Sequence, residues 1–441
     1  MPSAVSRSRT YFWRTFRSLR VRNVRLYFIG QAVSASGMWM QSVAQLWLVY
    51  ELTGSGTALG VTTALQSLPV LLGGAWGGVV ADRFDKRRLL VVTQAVKGVL
   101  AGALGAVVAL GVAELWMVYG FALLLGVVNA LDNPARRTFV SEMAGPDDVA
   151  NAISLNSAML TSARIIGPSI AGLLINAFGV APCFFINGAS FAAVIVALLM
   201  MRADELHRTE LVKKAKGQVV EGFRYAWSAP EIRLPLVMMA VIGTLAYNFR
   251  VVLPLIAEDT FNGGPGLFGT LYSVMSVGSL AGALFTASRL QATTRFLLIS
   301  ALGLGLALLA AAAAPTLVLE YLALMAVGAA SSAYTSTTQA SLQLGSEPHM
   351  RGRVMALYTV VFMGSTPIGG PIVGWIAEDL GPRAGFAVGG AATVLTAVLA
   401  IRPALRNRVI AAAAADGATA STSASASTPT PTPTNPARSS G

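Results

Sequence analysis

Cysteine and histidine are almost absent from this chain, and their scarcity excludes several classes of function. Cys183 is the one cysteine among 441 residues, so neither an intrachain disulfide nor a cysteine-based metal cluster can form. The two histidines, His207 and His349, both fall in polar segments between apolar runs. The chain has too few cysteine and histidine side chains to favour metal-dependent or histidine-driven catalysis. We therefore expect no enzymatic activity, no metal and no cofactor.

Charged residues are also scarce. They make up 12% of the chain against 54% hydrophobic residues, whereas a soluble globular protein carries about a quarter charged residues. Apolar runs of about 20 residues or more recur along the chain, each long enough to cross a bilayer as a helix. The sequence therefore predicts an all-α polytopic membrane protein, and we expect twelve transmembrane helices. It contains no phosphate-binding G-x-x-x-x-G-K-[ST] sequence, which argues against ATP-driven pumping by this chain alone.

The net charge of +12 comes from Lys and Arg residues that cluster on one predicted side of the membrane. Most of them fall in segments that face the cytoplasm if both termini do, as cations retained during insertion would. The exceptions are Lys97, Arg164, Arg250 and Arg383. The charge therefore indicates topology and not nucleic-acid binding. We expect a monomer in the inner (plasma) membrane, in contact with lipid, with both termini cytoplasmic.

The chain divides into five predicted segments. Residues 1–23 alternate cations with aromatic residues and predict an amphipathic helix on the cytoplasmic leaflet. Residues 24–201 and 233–405 each hold six predicted spans, and the charged segment 202–232 links these two halves. Residues 406–441 are rich in Ala, Ser, Thr and Pro, have little to bury, and are expected to be disordered.

The two halves repeat one another in sequence. An offset of 202 residues aligns several glycines: Gly167 with Gly369, Gly172 with Gly374, and Gly188 with Gly390. Such matches at one offset across consecutive spans indicate parallel structural repeats.

A charged turn separates the second apolar run from the third. Residues 78–88 read GVVADRFDKRR, with glycines before the turn that favour close helix packing. The stretch resembles the G-x-x-x-D-R-x-G-R-R loop signature of the major facilitator superfamily. The matching residues are Gly78, Asp82, Arg83, Lys86 and Arg87, whereas Asp85 stands where that family usually has glycine. The resemblance implies a twelve-helix transporter fold in which these are gating residues that do not touch substrate.

Asp132 and Arg136 extend this predicted gate. They are four residues apart near the end of the fourth predicted span, a spacing that allows a helical ion pair if Pro134 does not interrupt the turn. In the resembled family an acidic residue here can exchange partners with arginines of the charged turn. The resemblance therefore implies that Asp132 pairs with Arg83 or Arg87 in one state of the transporter.

Polar residues within spans must face protein or water instead of lipid. Five residues of the first span recur at three- and four-residue intervals along one helical face: Gln31, Ser34, Met38, Gln41 and Gln45. They either line a central cavity or bond to a neighbouring helix; the resemblance favours the cavity. Tyr247, Asn248 and Arg250 of the seventh predicted span and Thr335 of the tenth are weaker candidates for the same cavity.

Arg164 is predicted to be the single cation deep within a span, roughly 20 Å from its cytoplasmic end. It either recognises an anion or bonds to carbonyls or glutamines of the first span. We expect no carboxylate in the middle of a span, because Asp132 lies towards an inner end and Glu51 towards an outer end. One of these two is the expected carrier if transport is coupled to protons.

Gly167, Pro168 and Gly172 resemble the G-P-x-x-G-G signature in the fifth helix of proton-coupled antiporters of the superfamily, with Ala171 replacing one glycine. This motif is either a packing seam of small residues or a mark of export.

Three stretches are together similar to the enterobactin-exporter-like branch of the superfamily, over about residues 15 to 405: RSLRVRN, LWLVYELTGSG and the charged turn. The resemblance implies secondary-active export of a small molecule, such as a siderophore, drug or metabolite, by alternating access and proton antiport. The alternatives are an importer or uniporter of the same fold and a membrane sensor that binds ligand without moving it.

Overall fold

The computed structural model describes residues 16–207, 218–288 and 293–403. Most of the predicted N-terminal amphipathic segment, the middle of the predicted linker and the predicted disordered tail lie outside these ranges. Within them, every regular element is a helix. The prediction of an all-α protein is therefore confirmed for the part of the chain that the structure describes.

The first set of helices precedes the predicted linker. It comprises α1 (Arg22–Thr53), α2 (Gly56–Arg83), α3 (Lys86–Ala109), α4 (Leu115–Phe178) and α5 (Ala181–Leu199). The second set begins with the short amphipathic α6 (Gln218–Ser228), followed by α7 (Pro230–Ala246) and α8 (Phe249–Leu255). It continues with α9 (Gly264–Ala287), α10 (Thr294–Ala313), α11 (Leu317–Gly345), α12 (Arg351–Asp379) and α13 (Pro382–Pro403). Single turns of other helix types cover Arg17–Arg20, Ala203–Glu205 and Ile256–Thr260.

Ten helical segments of the described chain are long and apolar enough to cross a membrane. The protein is therefore a multi-pass membrane protein. One of these segments, α4, has 64 residues and is about 96 Å long at 1.5 Å per residue, three times the thickness of the hydrocarbon core. The number twelve, which stays a prediction, requires that α4 count as two spans and that the polar α1 count as one.

The helix α4 changes direction at Gly145, where φ is +70°. Glycine adopts this left-handed backbone without the steric penalty of a side chain, and Pro146 directly after it suits the first turn of a new helix. The predicted fourth span ends near residue 133, whereas the helix that contains it continues past that residue and resumes after Gly145. Pro134 does not interrupt it, so Asp132 lies well inside a helix.

The helices define two sides of the molecule. We call the side that carries the turn between α2 and α3, together with Gly145, the linker side, and the opposite side the distal side. Within the first set, α1 packs on α4 and α5, and α3 packs on α5. Within the second set, α9 and α10 pack on α11, and α7 packs on α12. The two sets meet where α2 packs on α12 and α4 packs on α9.

Small residues bring the backbones of these helices together. A Cβ atom at Gly77 would meet the backbone carbonyl of Ala130, which joins α2 to α4. Between the sets, a Cβ at Gly60 would meet the carbonyl of Gly370, and one at Gly56 would meet that of Gly374. Such close approach leaves no space for side chains and is typical of membrane helix interfaces.

Candidate functional site

A cavity of about 300 Å³ lies between the two helix sets. Its polar lining is rich in amides: Gln41, Gln45, Gln66, Asn129, Asn133 and Asn187. Lys97 and Arg250 add two cations, while Trp39, Phe191 and Phe362 supply aromatic surface. Among the described residues no carboxylate lines this cavity. The lining therefore combines hydrogen-bonding capacity with positive charge.

The predicted face of α1 is only partly in this cavity. Met38, Gln41 and Gln45 line it, whereas Gln31 and Ser34 are buried elsewhere in the same helix. The side chain of Gln41 accepts a hydrogen bond from the amide of Asn187 in α5. Both interpretations of this polar face therefore apply, since Gln41 lines the cavity and also bonds to a neighbouring helix.

Three of the weaker candidates, Tyr247, Asn248 and Thr335, do not line this cavity. Tyr247 donates its hydroxyl to the carbonyl of Ser331 at 2.8 Å, and the Asn248 amide donates to the carbonyl of Thr244 at 2.6 Å. The Thr335 hydroxyl donates to carbonyls of its own helix. Tyr247 and Asn248 occupy the break between α7 and α8, where two residues leave the helical conformation. Their polarity marks an interruption in the predicted seventh span.

The prediction that Arg164 is the single deep cation is wrong, because Lys97 and Arg250 are also held inside the helix bundle. The Arg164 guanidinium carbon lies 5.4 Å from the centre of the Trp39 ring and 5.8 Å from that of Tyr272. Stacking on aromatic rings stabilises a guanidinium. Arg164 therefore rests on rings instead of the carbonyls or glutamines that the sequence suggested, and it touches the cavity through Trp39.

Asp132 is completely buried at the centre of a charged cluster. Its carboxylate lies 2.9 Å from the Lys97 ammonium and also pairs with Arg136 one helical turn along. The Thr93 hydroxyl and the Gln94 amide donate to the same carboxylate at 2.8 and 2.7 Å. The predicted ion pair with Arg136 is present. The expectation that no carboxylate lies in the middle of a span stays a prediction, while Asp132 lies within α4 and accepts hydrogen bonds from Thr93 and Gln94 of α3.

The charged turn makes contacts within the first helix set. The Lys86 ammonium lies 2.7 Å from the Glu142 carboxylate, and the Arg87 guanidinium donates to the carbonyls of Leu198 and Leu199 at the end of α5. Arg83 is exposed. Asp132 is bonded to α3 and to its own helix, so the expected pairing with Arg83 or Arg87 is absent from this state.

Two further residues of this turn have distinct positions. Gly78 is half-buried in α2, and the side chain of Asp82 lies outside the part of the structure that is described. The carboxylate of Asp85 accepts a hydrogen bond from the backbone N–H of Arg88 at 3.0 Å and so caps the start of α3. Capping gives a structural reason for an aspartate where the family usually has glycine.

Arg250 connects the two helix sets at the cavity. It lies in α8, directly after the break at Tyr247 and Asn248. One of its terminal nitrogens donates to the Ser42 hydroxyl of α1 at 2.7 Å and to the Gln66 carbonyl oxygen of α2 at 2.9 Å. Both acceptors are neutral. The sequence predicted Arg250 as one of the weaker cavity candidates, because a cation inside an apolar run must face polar surroundings, and Arg250 does line the cavity.

The two sets are held together on the distal side by a group of contacts that we call the distal seal. Its polar part joins Tyr50 to Asp259, Ser55 and the Thr57 N–H to Glu378, and Ser169 to Ser273. Its close-packed part joins Gly56 and Gly60 to Gly374 and Gly370, and Gly172 and Pro168 to Gly266 and Gly269. The structure is therefore closed on the distal side.

The Gly-Pro motif of α4 contributes to this seal. A Cβ at Gly172 would lie 3.0 Å from the Cα of Gly266, and one at Gly269 would meet the carbonyl of Pro168. Gly167 lies against the backbone of α1 at Ser36 and Met40. The motif is a packing seam between the helix sets and within the first set.

Comparisons with known proteins agree with this architecture. A family described as transmembrane secretion effector matches residues 14–425. The staphyloferrin A transporter of Staphylococcus aureus is 22% identical over 84% of this chain and 93% of its own length. The multidrug efflux pump Tap of Mycolicibacterium fortuitum is 25% identical over 87% and 96% of the two chains. The enterobactin exporter EntS of Escherichia coli is 23% identical over 85% and 90%.

Solved structures show the same fold at lower identity. The nucleoside transporter NupG superposes with a TM-score of 0.69 at 13% identity, covering 87% of this chain and 98% of that one. A bacterial homologue of the lysosomal transporter Spinster, in an inward-facing and unoccupied conformation, superposes with a TM-score of 0.67 at 16% identity, covering 87% and 95%. Because the family match spans nearly all of the described helices, this chain belongs to the transmembrane secretion effector family of the major facilitator superfamily and is a membrane transporter, not an enzyme.

Proposed function

We propose that this protein exports a small molecule from the cytoplasm by alternating access. The observation that carries the proposal is a polar cavity between two helix sets that are sealed to each other on the distal side. The distribution of Lys and Arg assigns the linker side to the cytoplasm, so the described state would be the one that loads substrate from inside. Relatives named as an enterobactin exporter, a staphyloferrin A transporter and a multidrug efflux pump support export of a siderophore, drug or metabolite.

The charged turn is proposed to stabilise the loading state at one stage of the transport cycle and the alternative state at another. Lys86 and Arg87 tie the start of α3 to α4 and α5. Because these ties lie within the first helix set, they would hold the charged turn in position while that set moves against the second. Asp82, Arg83 and Asp132 keep their proposed role as groups that exchange partners between the states.

Proton antiport is the proposed driving reaction, with Asp132 as the carrier. Its partner Lys97 lines the cavity, so the ion pair connects a buried carboxylate to the substrate pathway. Glu51, the other candidate, accepts a hydrogen bond from Trp47 near the distal end of α1, away from the cavity lining. A carboxylate whose cationic partner faces the substrate is better placed to link proton and substrate movement.

Uptake into inside-out membrane vesicles tests the proposed direction and coupling. Labelled catecholate siderophore and a labelled lipophilic cation would be compared with and without an imposed pH gradient. The proposal predicts gradient-dependent accumulation of at least one of them, and none in vesicles that lack the protein. Accumulation only in right-side-out vesicles would contradict export and establish import.

A matched pair of variants in α1 links this transport to the cavity. Gln41→Ala removes an amide from the cavity lining, whereas Gln31→Ala removes one that is buried away from it. We expect the first to lower the uptake rate several-fold and the second to leave it close to wild type. Equal rates in the two variants would show that substrate does not pass through this cavity.

A further inference from the structure

The cavity carries positive charge that no side chain in its lining offsets. Lys97 and Arg250 both line it, and the lining residues of the described chain include no aspartate or glutamate. Behind the lining, Asp132 is shared between Lys97 and Arg136. One carboxylate is therefore the countercharge of two cations. Arg250 and Arg164 are two further cations beside the cavity.

Of the two cations that line the cavity, Arg250 has the greater capacity for a ligand, because Lys97 is already paired with Asp132. A guanidinium has five N–H donors, and the two hydrogen bonds of Arg250 to other side chains in the described structure both leave from one terminal nitrogen. Its Nε atom is buried without a hydrogen-bond partner among the described residues. A buried guanidinium that is surrounded by neutral acceptors is costly unless an anion joins it.

The acceptors of Arg250 belong to the opposite helix set. Ser42 and Gln66 lie in α1 and α2, whereas Arg250 lies in α8. These bonds therefore bridge the two sets at the cavity, between it and the distal seal. The bonds of Arg250 form a second connection between the helix sets, in addition to the distal seal. Unlike the seal, this connection depends on a side chain that a ligand bound in the cavity can reach.

We infer that Arg250 is both the receptor for an anionic substrate and the latch that ties substrate binding to opening of the distal side. This inference rests on the proposed function and specifies its substrate class as a small molecule with carboxylate or catecholate oxygens. Bidentate bonds to an anion are stronger than bonds to a hydroxyl or an amide. An anion in the cavity takes over the donors of Arg250, releases Ser42 and Gln66, and leaves the distal seal as the remaining tie between the sets.

Binding to purified protein in lipid nanodiscs tests the receptor role without requiring transport. The probes are citrate and 2,3-dihydroxybenzoate as anions and tetraphenylphosphonium as a lipophilic cation, measured by titration calorimetry. We expect an anion to bind wild type and Arg250→Gln to weaken it by about tenfold or more, the effect of losing charge-assisted hydrogen bonds. Arg383→Gln is the matched control, because Arg383 lies in the same helix set and bonds to the Ala314 carbonyl away from the cavity.

Two outcomes of this titration overturn the receptor role. One is equal anion affinity in wild type and Arg250→Gln, and the other is binding of tetraphenylphosphonium while neither anion binds. Export failing in vesicles while anions still bind would defeat the proposed function alone. Export of a cation with no anion binding would defeat this inference alone.

Distance measurements test the latch. Spin labels would be placed on cysteines at the exposed distal residues Leu52 and Leu380, one in each set, after Cys183→Ser. We expect anion to lengthen the distance between the labels in wild type. The double variant Ser42→Ala with Gln66→Met removes both acceptors but keeps the arginine, so it should show the longer distance without anion and still bind anion.

The variant Arg250→Lys separates the two roles. It keeps the positive charge but cannot reproduce the fork of donors, so we expect weakened anion binding together with a distal distance that no longer depends on anion. A Leu52 to Leu380 distance that is the same with and without saturating anion in wild type would overturn the latch. A Leu52 to Leu380 distance in the Ser42→Ala, Gln66→Met double variant that is the same as in wild type would also overturn the latch.

Discussion

At the scale of single residues, the buried cluster around Asp132 shows how membrane helices accommodate charge. The carboxylate accepts hydrogen bonds from Arg136, Thr93 and Gln94 and forms an ion pair with Lys97, although the residue has no solvent exposure. Each partner comes from α3 or α4, and the cluster therefore fastens these two helices. A charge without a partner inside a membrane-spanning helix bundle would be energetically costly.

Asp132→Asn should destabilise the protein more than Lys97→Met does. The first leaves Lys97 and Arg136 without a countercharge, and breaking a buried pair in this way costs about 3–5 kcal/mol. The second leaves Asp132 paired with Arg136 and bonded to Thr93 and Gln94. Thermal unfolding in detergent measures the difference, and equal melting temperatures for the two variants would contradict the shared-carboxylate arrangement.

The residue-scale predictions from sequence succeeded where spacing alone determines a contact. The four-residue interval between Asp132 and Arg136 predicted their ion pair. The predicted polar face of α1 includes three residues that line the cavity. The sequence could not show that Lys97 reaches Asp132, because that bond depends on how α3 packs on α4. The partners of Arg250 were hidden for the same reason, since they belong to the other helix set.

At the scale of elements, the internal repeat of the sequence identifies positions that play equivalent parts in the two halves. The offset of 202 residues pairs Gly172 with Gly374. In the structure Gly172 packs on α9 and Gly374 packs on α2, and both contacts belong to the distal seal. Two repeats related by symmetry use corresponding glycines for corresponding contacts.

Boundaries within elements were harder to predict. The fourth and fifth predicted spans are both in α4, because Pro134 is accommodated within the helix and Gly145 alone turns the backbone. Conversely, the seventh predicted span is interrupted at Tyr247 and Asn248, where the sequence contains neither glycine nor proline. Local propensity does not fix such positions when tertiary packing decides them.

Gly60→Leu should open the distal seal. A side chain here meets the backbone carbonyl of Gly370, so α2 and α12 would have to separate. The distance between labels at Leu52 and Leu380 is expected to increase without any ligand. Gly74→Leu is the control in the same helix, because a Cβ there meets nothing within 4 Å. A long distance in both variants, or in neither, would show that the glycine contact does not hold the sets together.

Asp82→Asn should slow export several-fold while the protein remains inserted and folded. The proposed role of this residue is to exchange charged partners between states, and an amide of the same shape removes the charge alone. Initial rates in inside-out vesicles, normalised to inserted protein, measure the effect. Wild-type rates in this variant would exclude the charge of Asp82 from gating.

At the scale of the whole molecule, the contacts between the sets are concentrated on one side. The distal seal joins α2 to α12 and α4 to α9 through close-packed glycines and a few hydrogen bonds, and Trp47 stacks on Phe268 across the same interface. An interface of this kind can separate without unfolding either set. That property is what a transporter requires if a single cavity is to open first to one side and then to the other.

The most direct test of alternating access measures label-to-label distances on the distal side and on the linker side of the molecule in the same preparation. One label pair reports the distal side through Leu52 and Leu380, and a second reports the linker side through the exposed Phe84 and Leu344. Alternating access predicts reciprocal populations, in which conditions that lengthen the distal distance shorten the linker-side distance. Distances that lengthen together on both sides, or a linker-side distance that never changes when the distal side opens, would contradict it.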